Sequence, residues 1–111
     1  MNEQSTMAAA GLVLADPITV EVLRSRLEAI GREAGLAVER TAISPVVSET
    51  KDYSVTISDA RGRLITGIGY ITGHFGASVS AVRATMARHG DTIAPGDVFL
   101  ANDPHNGGGL H

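Results

Sequence analysis

The sequence of 111 residues contains no cysteine and no tryptophan. The absence of cysteine excludes disulfide bonds, thiol nucleophiles, iron–sulfur clusters and cysteine-ligated zinc in this segment. Aromatic residues are scarce too, so a core has to be built from valine, isoleucine, leucine and alanine; the four aromatics are Tyr53, Tyr70, Phe75 and Phe99. A hydrophobic content of 43% with 19% charged residues nevertheless indicates an ordered chain.

The chain also lacks an excess of positive charge. Nine lysines and arginines oppose twelve aspartates and glutamates, for a net charge of -3, and this balance argues against nucleic-acid binding. The early apolar run at residues 7–15 is shorter than the ~20 residues of a bilayer span. No lysine or arginine precedes it, unlike in a secretion signal. We therefore expect a cytoplasmic protein without membrane contact and a flexible N-terminal extension over residues 1–15.

The remaining pattern predicts an α+β fold that begins with a long helix. Asp16 followed by proline is typical of a helix start, and Pro45 predicts an end near Ile43. Gly31 and Gly35 indicate either the close approach of a neighbouring element or a locally weakened helix. Apolar residues recur every three or four positions and predict one buried face; they are Leu23, Leu27, Ile30, Ala34 and Val38.

A β-hairpin, a second helix and a further strand are expected after the long helix. Alternation over residues 53–58 predicts a strand with one solvent-exposed face, and the turn at 59–62 leads into a return strand. Residues 67–76 are rich in glycine and predict an irregular strand or loop. Residues 78–89 predict a helix capped by Gly90, and residues 98–101 predict a short buried strand.

Familiar catalytic motifs are mostly missing. The glycines at 67 and 69 do not complete a dinucleotide-binding fingerprint, because the third glycine is displaced by one residue. The single lysine lies outside any P-loop motif, and no nucleophile elbow occurs. We therefore expect neither a self-contained ATP site nor a hydrolase triad within these residues.

Candidate metal ligands are found near the end of the chain. Asp103, His105 and His111 occur close together after the last predicted strand. Carboxylate and imidazole groups suit Zn, Mn or Fe. A flexible turn with solvated histidines is the alternative interpretation.

Two further polar residues are candidates for chemistry. His74 stands between glycine and phenylalanine before the second helix, where it can move a proton or bind an anion as a catalytic residue. Asp52 stands at the start of the first strand, where its carboxylate can bind a metal. The alternatives are a hydrogen-bonded packing role for His74 and a pair with Lys51 or water for Asp52.

Five segments occur in order between Asp16 and His111. They are DPITVEVLRSRLEAI, ERTAISPVVSETKDYSVTISDARGRLI, GHFGASVSAV, PGDVFLANDP and GGGLH. Together they resemble the start of the hydantoinase B/oxoprolinase family. Related subunits occur in acetone and acetophenone carboxylases.

This resemblance implies an ATP-dependent hydrolase that opens a hydantoin or 5-oxoproline ring, or a related ATP-dependent carboxylase. An A-type partner subunit would bind ATP and Mg, and the B-type part would complete the reaction within a hetero-oligomer. The resemblance also implies a divalent metal (Zn, Mn or Fe) at Asp52 and His111, with Asp103 as a neighbour.

The family pattern continues past the histidine of GGGLH with two residues and an aspartate, whereas this sequence ends at His111. We therefore expect residues 16–111 to be a truncated, N-terminal part of a hydantoinase B/oxoprolinase domain. Such an incomplete domain is predicted to be inactive alone. A non-catalytic interaction module left by truncation is the alternative.

Overall fold

The computed structural model describes residues 16–107 and residue 109. It confirms the α+β class, with a long helix, a two-stranded antiparallel hairpin and a second helix. The predicted N-terminal extension and His111 lie outside the described residues. In chain order the elements are α1 (Pro17–Thr41), α2 (Pro45–Ser48), β1 (Ser54–Ser58), β2 (Leu64–Gly69) and α3 (Gly73–His89), followed by one-turn 3₁₀ helices at Gly90–Thr92 and Pro104–Asn106.

Helix α1 begins and ends close to where the sequence predicts. Asp16 Oδ2 accepts a hydrogen bond of 3.1 Å from the Thr19 N–H, which satisfies one of the free donors of the first turn. At the other end the backbone becomes extended at Ala42, whose N–H still donates to the Val38 carbonyl. In the described part of the chain, no helix combines the length and apolar character needed to cross a bilayer.

The turn between the two strands forms as predicted and is organised by Asp59. Its Oδ1 accepts backbone N–H groups from Arg61 at 2.9 Å and Arg63 at 2.8 Å. Gly62 adopts a φ of +70°, a conformation that glycine reaches at no steric cost. Strand β1 then pairs antiparallel with β2, so that Ser54 lies opposite Gly69.

Helix α1 packs on one face of the hairpin through its two glycines. A methyl group at Gly31 would lie 2.8 Å from Ile68 Cγ1, and one at Gly35 would lie 3.1 Å from the Tyr53 hydroxyl. Both glycines are buried. Of the two interpretations left open by the sequence, the structure therefore supports the close approach of a neighbouring element.

The predicted buried face of α1 is wrong for three of its five residues, whereas Leu27 and Ala34 are partly buried. Leu23 is 53% exposed and Ile30 is 55% exposed, and Val38 is also exposed. The side of the helix that meets the hairpin is set by the glycines, because only there can the two backbones come close enough to pack. Among the described residues, no large apolar side chain is fully buried.

Helix α3 covers the opposite face of the hairpin, so the prediction of a solvent-exposed face on β1 is also wrong. Ser54 Oγ lies 3.1 Å from His74 Nδ1, and a methyl group at Gly67 would lie 2.9 Å from the Phe75 ring. Neighbouring residues of a strand point to opposite faces. The hairpin is therefore sandwiched between α1 and α3, and every residue of β1 is partly buried.

Helix α3 begins earlier than predicted, at Gly73, and ends as predicted with Gly90 at a φ of +50°. The further strand predicted at residues 98–101 does not form: this segment is irregular, and Leu100 is 101% exposed. A strand needs a neighbour for its backbone hydrogen bonds, and no described strand pairs with it. Within this segment, the Phe99 ring contacts the His89 ring at 4.6 Å between centroids.

Candidate functional site

Asp52 lies in a tight turn between α2 and β1. Its own N–H donates to the Val46 carbonyl at 3.0 Å, and the N–H of Tyr53 donates to the carbonyl of Lys51 at 2.9 Å. The second bond closes a three-residue γ-turn centred on Asp52. Lys51 has a φ of +58°, the only positive φ recorded for a non-glycine residue of the described chain. The backbone on both sides of the carboxylate is therefore held in a defined bend.

The structure brings Asp52 and His74 together, although 22 positions separate them in the sequence. His74 Nε2 lies 3.4 Å from Asp52 Oδ1, and the side chains are 22% and 40% exposed respectively. His74 Nδ1 is 3.1 Å from Ser54 Oγ. Helix α3 places the histidine at its first turn, directly over the start of β1. The three side chains therefore form one connected polar group.

This polar group contains the residue types of a hydrolase triad, which the sequence spacing does not reveal. In a serine hydrolase the serine contacts Nε2 and the aspartate contacts Nδ1, whereas here the two ring nitrogens are exchanged. An Asp52 carboxylate facing Nε2 favours a proton on that nitrogen, which leaves Nδ1 to accept from the Ser54 hydroxyl. In this arrangement the imidazole can hold or release a proton at Nε2 or at Nδ1.

A second polar network lies beside Asp52 and connects α1 to β1. The Glu39 carboxylate accepts a hydrogen bond of 2.7 Å from Lys51 Nζ and one of 2.5 Å from the Tyr53 hydroxyl. The Glu39 side chain is 19% exposed. The bonds from Lys51 and then Tyr53 lower the pKa of Glu39, and the bond to Glu39 with partial burial raises the pKa of Tyr53 to about 12.

Asp103 has a local structural role among the described residues. Its Oδ1 accepts the N–H of His105 at 2.9 Å, and its Oδ2 accepts from the Asn106 side-chain amide. These bonds, chiefly the one from Asn106, lower the pKa of Asp103. They cap the 3₁₀ helix at Pro104–Asn106. A role for Asp103 as a metal ligand stays a prediction.

The donor set near Asp52 is incomplete for a metal within the described chain. Over residues 16–107 and 109, no three histidine, aspartate or glutamate side chains come together as a metal site. Asp52 and His74 supply one carboxylate oxygen and one imidazole nitrogen, which are suitable donors for Zn, Mn or Fe. A catalytic zinc takes three protein ligands. His111, the other predicted ligand, lies outside the described residues.

Reasoning from the sequence missed Ser54 and Glu39 as members of the site. Glu39 opens the segment ERTAIS and Lys51 opens KDYS, and the two segments are in contact through the Glu39–Lys51 ion pair. The alternation of β1 assigned Ser54 to a solvent-exposed face. Glu39 lies in ERTAIS and Ser54 lies in KDYS, so the ordered occurrence of these two segments could have indicated both residues.

The chain belongs to the hydantoinase B/oxoprolinase family, whose model matches residues 16–111. An uncharacterised protein of Schizosaccharomyces pombe is 36% identical over 93 residues, or 84% of this chain. Caprolactamase subunit beta of Pseudomonas jessenii is 38% identical over 89 residues, or 80% of this chain. The 5-oxoprolinase 1 of Arabidopsis thaliana is 30% identical over 95 residues, or 86% of this chain.

The chain spans only a small part of these relatives. It covers 7% of the Schizosaccharomyces pombe protein, 15% of the caprolactamase subunit and 8% of 5-oxoprolinase 1. No solved structure matches the chain. The sequence therefore establishes the family to which the chain belongs.

Proposed function

We propose that the chain supplies the N-terminal part of a B-type subunit in an ATP-dependent cyclic-amide hydrolase. The enzyme opens a hydantoin or 5-oxoproline ring in a cytoplasmic complex, and an A-type partner subunit binds ATP and Mg. The observation that carries the proposal is the contact between Asp52 and His74 in a chain of this family. Relatives named 5-oxoprolinase and caprolactamase subunit beta support a cyclic amide as substrate and a second subunit as partner.

A divalent metal at Asp52 and His111 is part of this proposal, with Asp103 as a neighbour. The chain after Phe99, which touches His89 at the C-terminal end of α3, runs back along that helix towards its first turn. A methyl group at Gly107 would lie 2.8 Å from the Ser80 carbonyl oxygen.

A metal bound by Asp52 and His111 would polarise a carbonyl oxygen as a Lewis acid.

His74 is the proposed catalytic residue for proton transfer. Its ring lies between Asp52 and Ser54, and its side chain is 22% exposed. Asp52 orients the ring through Nε2, and Ser54 holds Nδ1. A positioned imidazole of this kind contributes about 100-fold or more to a proton transfer.

The test combines the complete protein that carries this segment with its ATP-binding partner. Ring opening of 5-oxoproline, hydantoin and caprolactam is followed by chromatography with and without ATP. We expect ATP-dependent turnover of at least one substrate. The variants Asp52→Asn and His74→Ala should each lose about 100-fold or more in kcat.

Asp91→Asn is the matched control, because Asp91 is an exposed carboxylate in the 3₁₀ helix Gly90–Thr92. It should keep the wild-type rate. Full activity in Asp52→Asn would contradict the role of this site. Bicarbonate-dependent consumption of acetone or acetophenone without ring opening would instead assign the protein to the carboxylases.

A further inference from the structure

Glu39 is bonded to the residues on either side of Asp52. Lys51 Nζ donates to Glu39 Oε2 at 2.7 Å, and the Tyr53 hydroxyl donates to Glu39 Oε1 at 2.5 Å. Each carboxylate oxygen therefore holds one neighbour of Asp52. Glu39 belongs to α1, and Lys51 and Tyr53 lie 12 and 14 positions further along the chain, just before β1. This carboxylate therefore connects α1 to the segment that leads into β1.

The backbone at Lys51 explains why such a restraint is needed. Its φ of +58° is a left-handed conformation that lysine rarely adopts. Residues kept in this region need surrounding contacts that determine their conformation, and they are concentrated at functional sites. Lys51 Nζ supplies those contacts, since it also donates to the Ser48 carbonyl at 2.7 Å. The Lys51 side chain is thus hydrogen-bonded to both α1 and α2.

We propose that Glu39 is a positioning residue that, through Lys51 and Tyr53, fixes the turn on which Asp52 is presented to His74. The inference rests on the proposed function of Asp52 and extends it to a residue whose carboxylate bonds to the two neighbours of Asp52. Freed from Glu39, the turn can relax to an ordinary backbone conformation, and the carboxylate moves away from the imidazole.

Glu28 of the same helix provides a comparison that separates positioning from ordinary surface pairing. Glu28 bonds to Arg24 and Arg32, which both lie on α1 itself. Its side chain is 27% exposed, close to the 19% of Glu39. The two glutamates therefore share helix, charge and partial burial, and only Glu39 reaches across to the turn at Asp52.

The test measures Zn²⁺ affinity by calorimetry, and kcat and KM for ring opening, in the complete protein with its ATP-binding partner. The variants are Glu39→Gln, Lys51→Met, their double variant, Lys51→Arg and the control Glu28→Gln. Thermal unfolding of each variant identifies any loss of folded protein at the assay temperature.

We expect Glu39→Gln and Lys51→Met each to weaken Zn²⁺ binding and lower kcat by about 10- to 100-fold, as for residues that orient metal ligands. KM should change little, because a residue that acts through the position of Asp52 has no part of its own in substrate binding. The double variant should lose no more than either single one, since both act through one network. Lys51→Arg keeps the positive charge and should retain most of the wild-type activity. Glu28→Gln should match the wild type.

Wild-type affinity and kcat in Glu39→Gln would overturn the positioning role, as would losses no larger than the fraction of unfolded protein. These results differ from a failure of the proposed function. A wild-type protein that binds Zn²⁺ but opens no ring removes the function, and the Zn²⁺ affinities of the variants still decide the role of Glu39. A wild-type protein that neither binds Zn²⁺ nor opens a ring would overturn both the proposed function and the positioning role of Glu39.

Discussion

The two halves of α1 are packed to very different extents. In the second half, Gly31 and Gly35 are buried against the hairpin and Glu39 is tied to the start of β1. In the first half, Ile18 is 74% exposed and Leu23 is half exposed. The difference shows that a small hairpin can hold only the stretch of helix that approaches it closely, and that this stretch is the one next to Asp52.

The first half of α1 is supported mainly by contacts within the helix. Arg24 pairs with Glu21 and Glu28, and all three belong to the same helix. Ion pairs between exposed side chains contribute little to stability. The contacts that α1 makes with the hairpin are therefore concentrated in the half of the helix nearer the candidate site, and this contrast can be tested by substitutions in each region.

The largest effect is expected where α1 meets the hairpin. In Gly31→Ala the new methyl group would lie 2.8 Å from Ile68 Cγ1, so one of the two elements has to move. Overpacking costs about 1–3 kcal/mol, while replacing a helical glycine returns about 1 kcal/mol. We expect a net loss of about 1 kcal/mol in the free energy of unfolding, measured by urea denaturation.

Gly76→Ala is the matched control for this substitution. Gly76 also lies in a helix, α3, but a methyl group there would meet nothing within 4 Å. The same change should therefore stabilise the protein by up to about 1 kcal/mol. Equal effects at the two positions would show that the close contact between α1 and β2 is absent.

A second test uses alkaline pH at the bond between Tyr53 and Glu39. The pKa of Tyr53 is raised to about 12, from an ordinary value of about 10. Because this pKa is raised on folding, the contribution of the Tyr53–Glu39 bond to the free energy of unfolding is complete below pH ~10. It is lost as the pH rises towards ~12. In Tyr53→Phe, the free energy of unfolding measured by urea denaturation should no longer fall between pH ~10 and ~12 for this reason. Tyr70→Phe, at an exposed tyrosine, should retain this fall.

A third and smaller effect is expected in the turn of the hairpin at acid pH. Hydrogen bonds from Arg63, first from its backbone and then from its side chain, lower the pKa of Asp59 to about 2. The ordinary value is about 3.9. The stabilisation is therefore present above pH ~4 and lost as the pH falls towards ~2. In urea denaturation curves, Asp59→Asn should therefore lose less stability at acid pH than the wild type.

The smallest effect is expected in the segment that follows α3. Leu100 is fully exposed, so Leu100→Ala should change the free energy of unfolding by no more than about 0.5 kcal/mol. Phe99→Ala should cost more, because the ring packs against His89. A loss well above 1 kcal/mol for Leu100→Ala would contradict the exposed position of this segment.

Local signals predicted much of the secondary structure. The start of α1 at Asp16, the turn at Asp59 and the cap at Gly90 each depend on one residue and its immediate neighbours, and all three are confirmed. The buried face of α1 and the strand at residues 98–101 were wrong. Both depend on which other element lies alongside, and periodicity does not contain that information.

The candidate site shows the same division. The sequence identified Asp52 and His74 separately by residue type and neighbourhood. It did not indicate that they meet, because their contact depends on α3 lying across the face of β1 that carries Ser54. The link from Glu39 to Lys51 was missed for the same reason. Whether Asp103 and His111 join Asp52 at a metal stays a prediction.

The sequence by itself determined the family, the α+β class, the ends of the long helix and the residue types available for chemistry. Capping, turn conformation and the order of segments are properties of neighbouring residues. Only the tertiary structure decided which faces are covered and which side chains meet at Asp52. Those outcomes depend on the distance between backbones, which the glycines of α1 and β2 allow to be short.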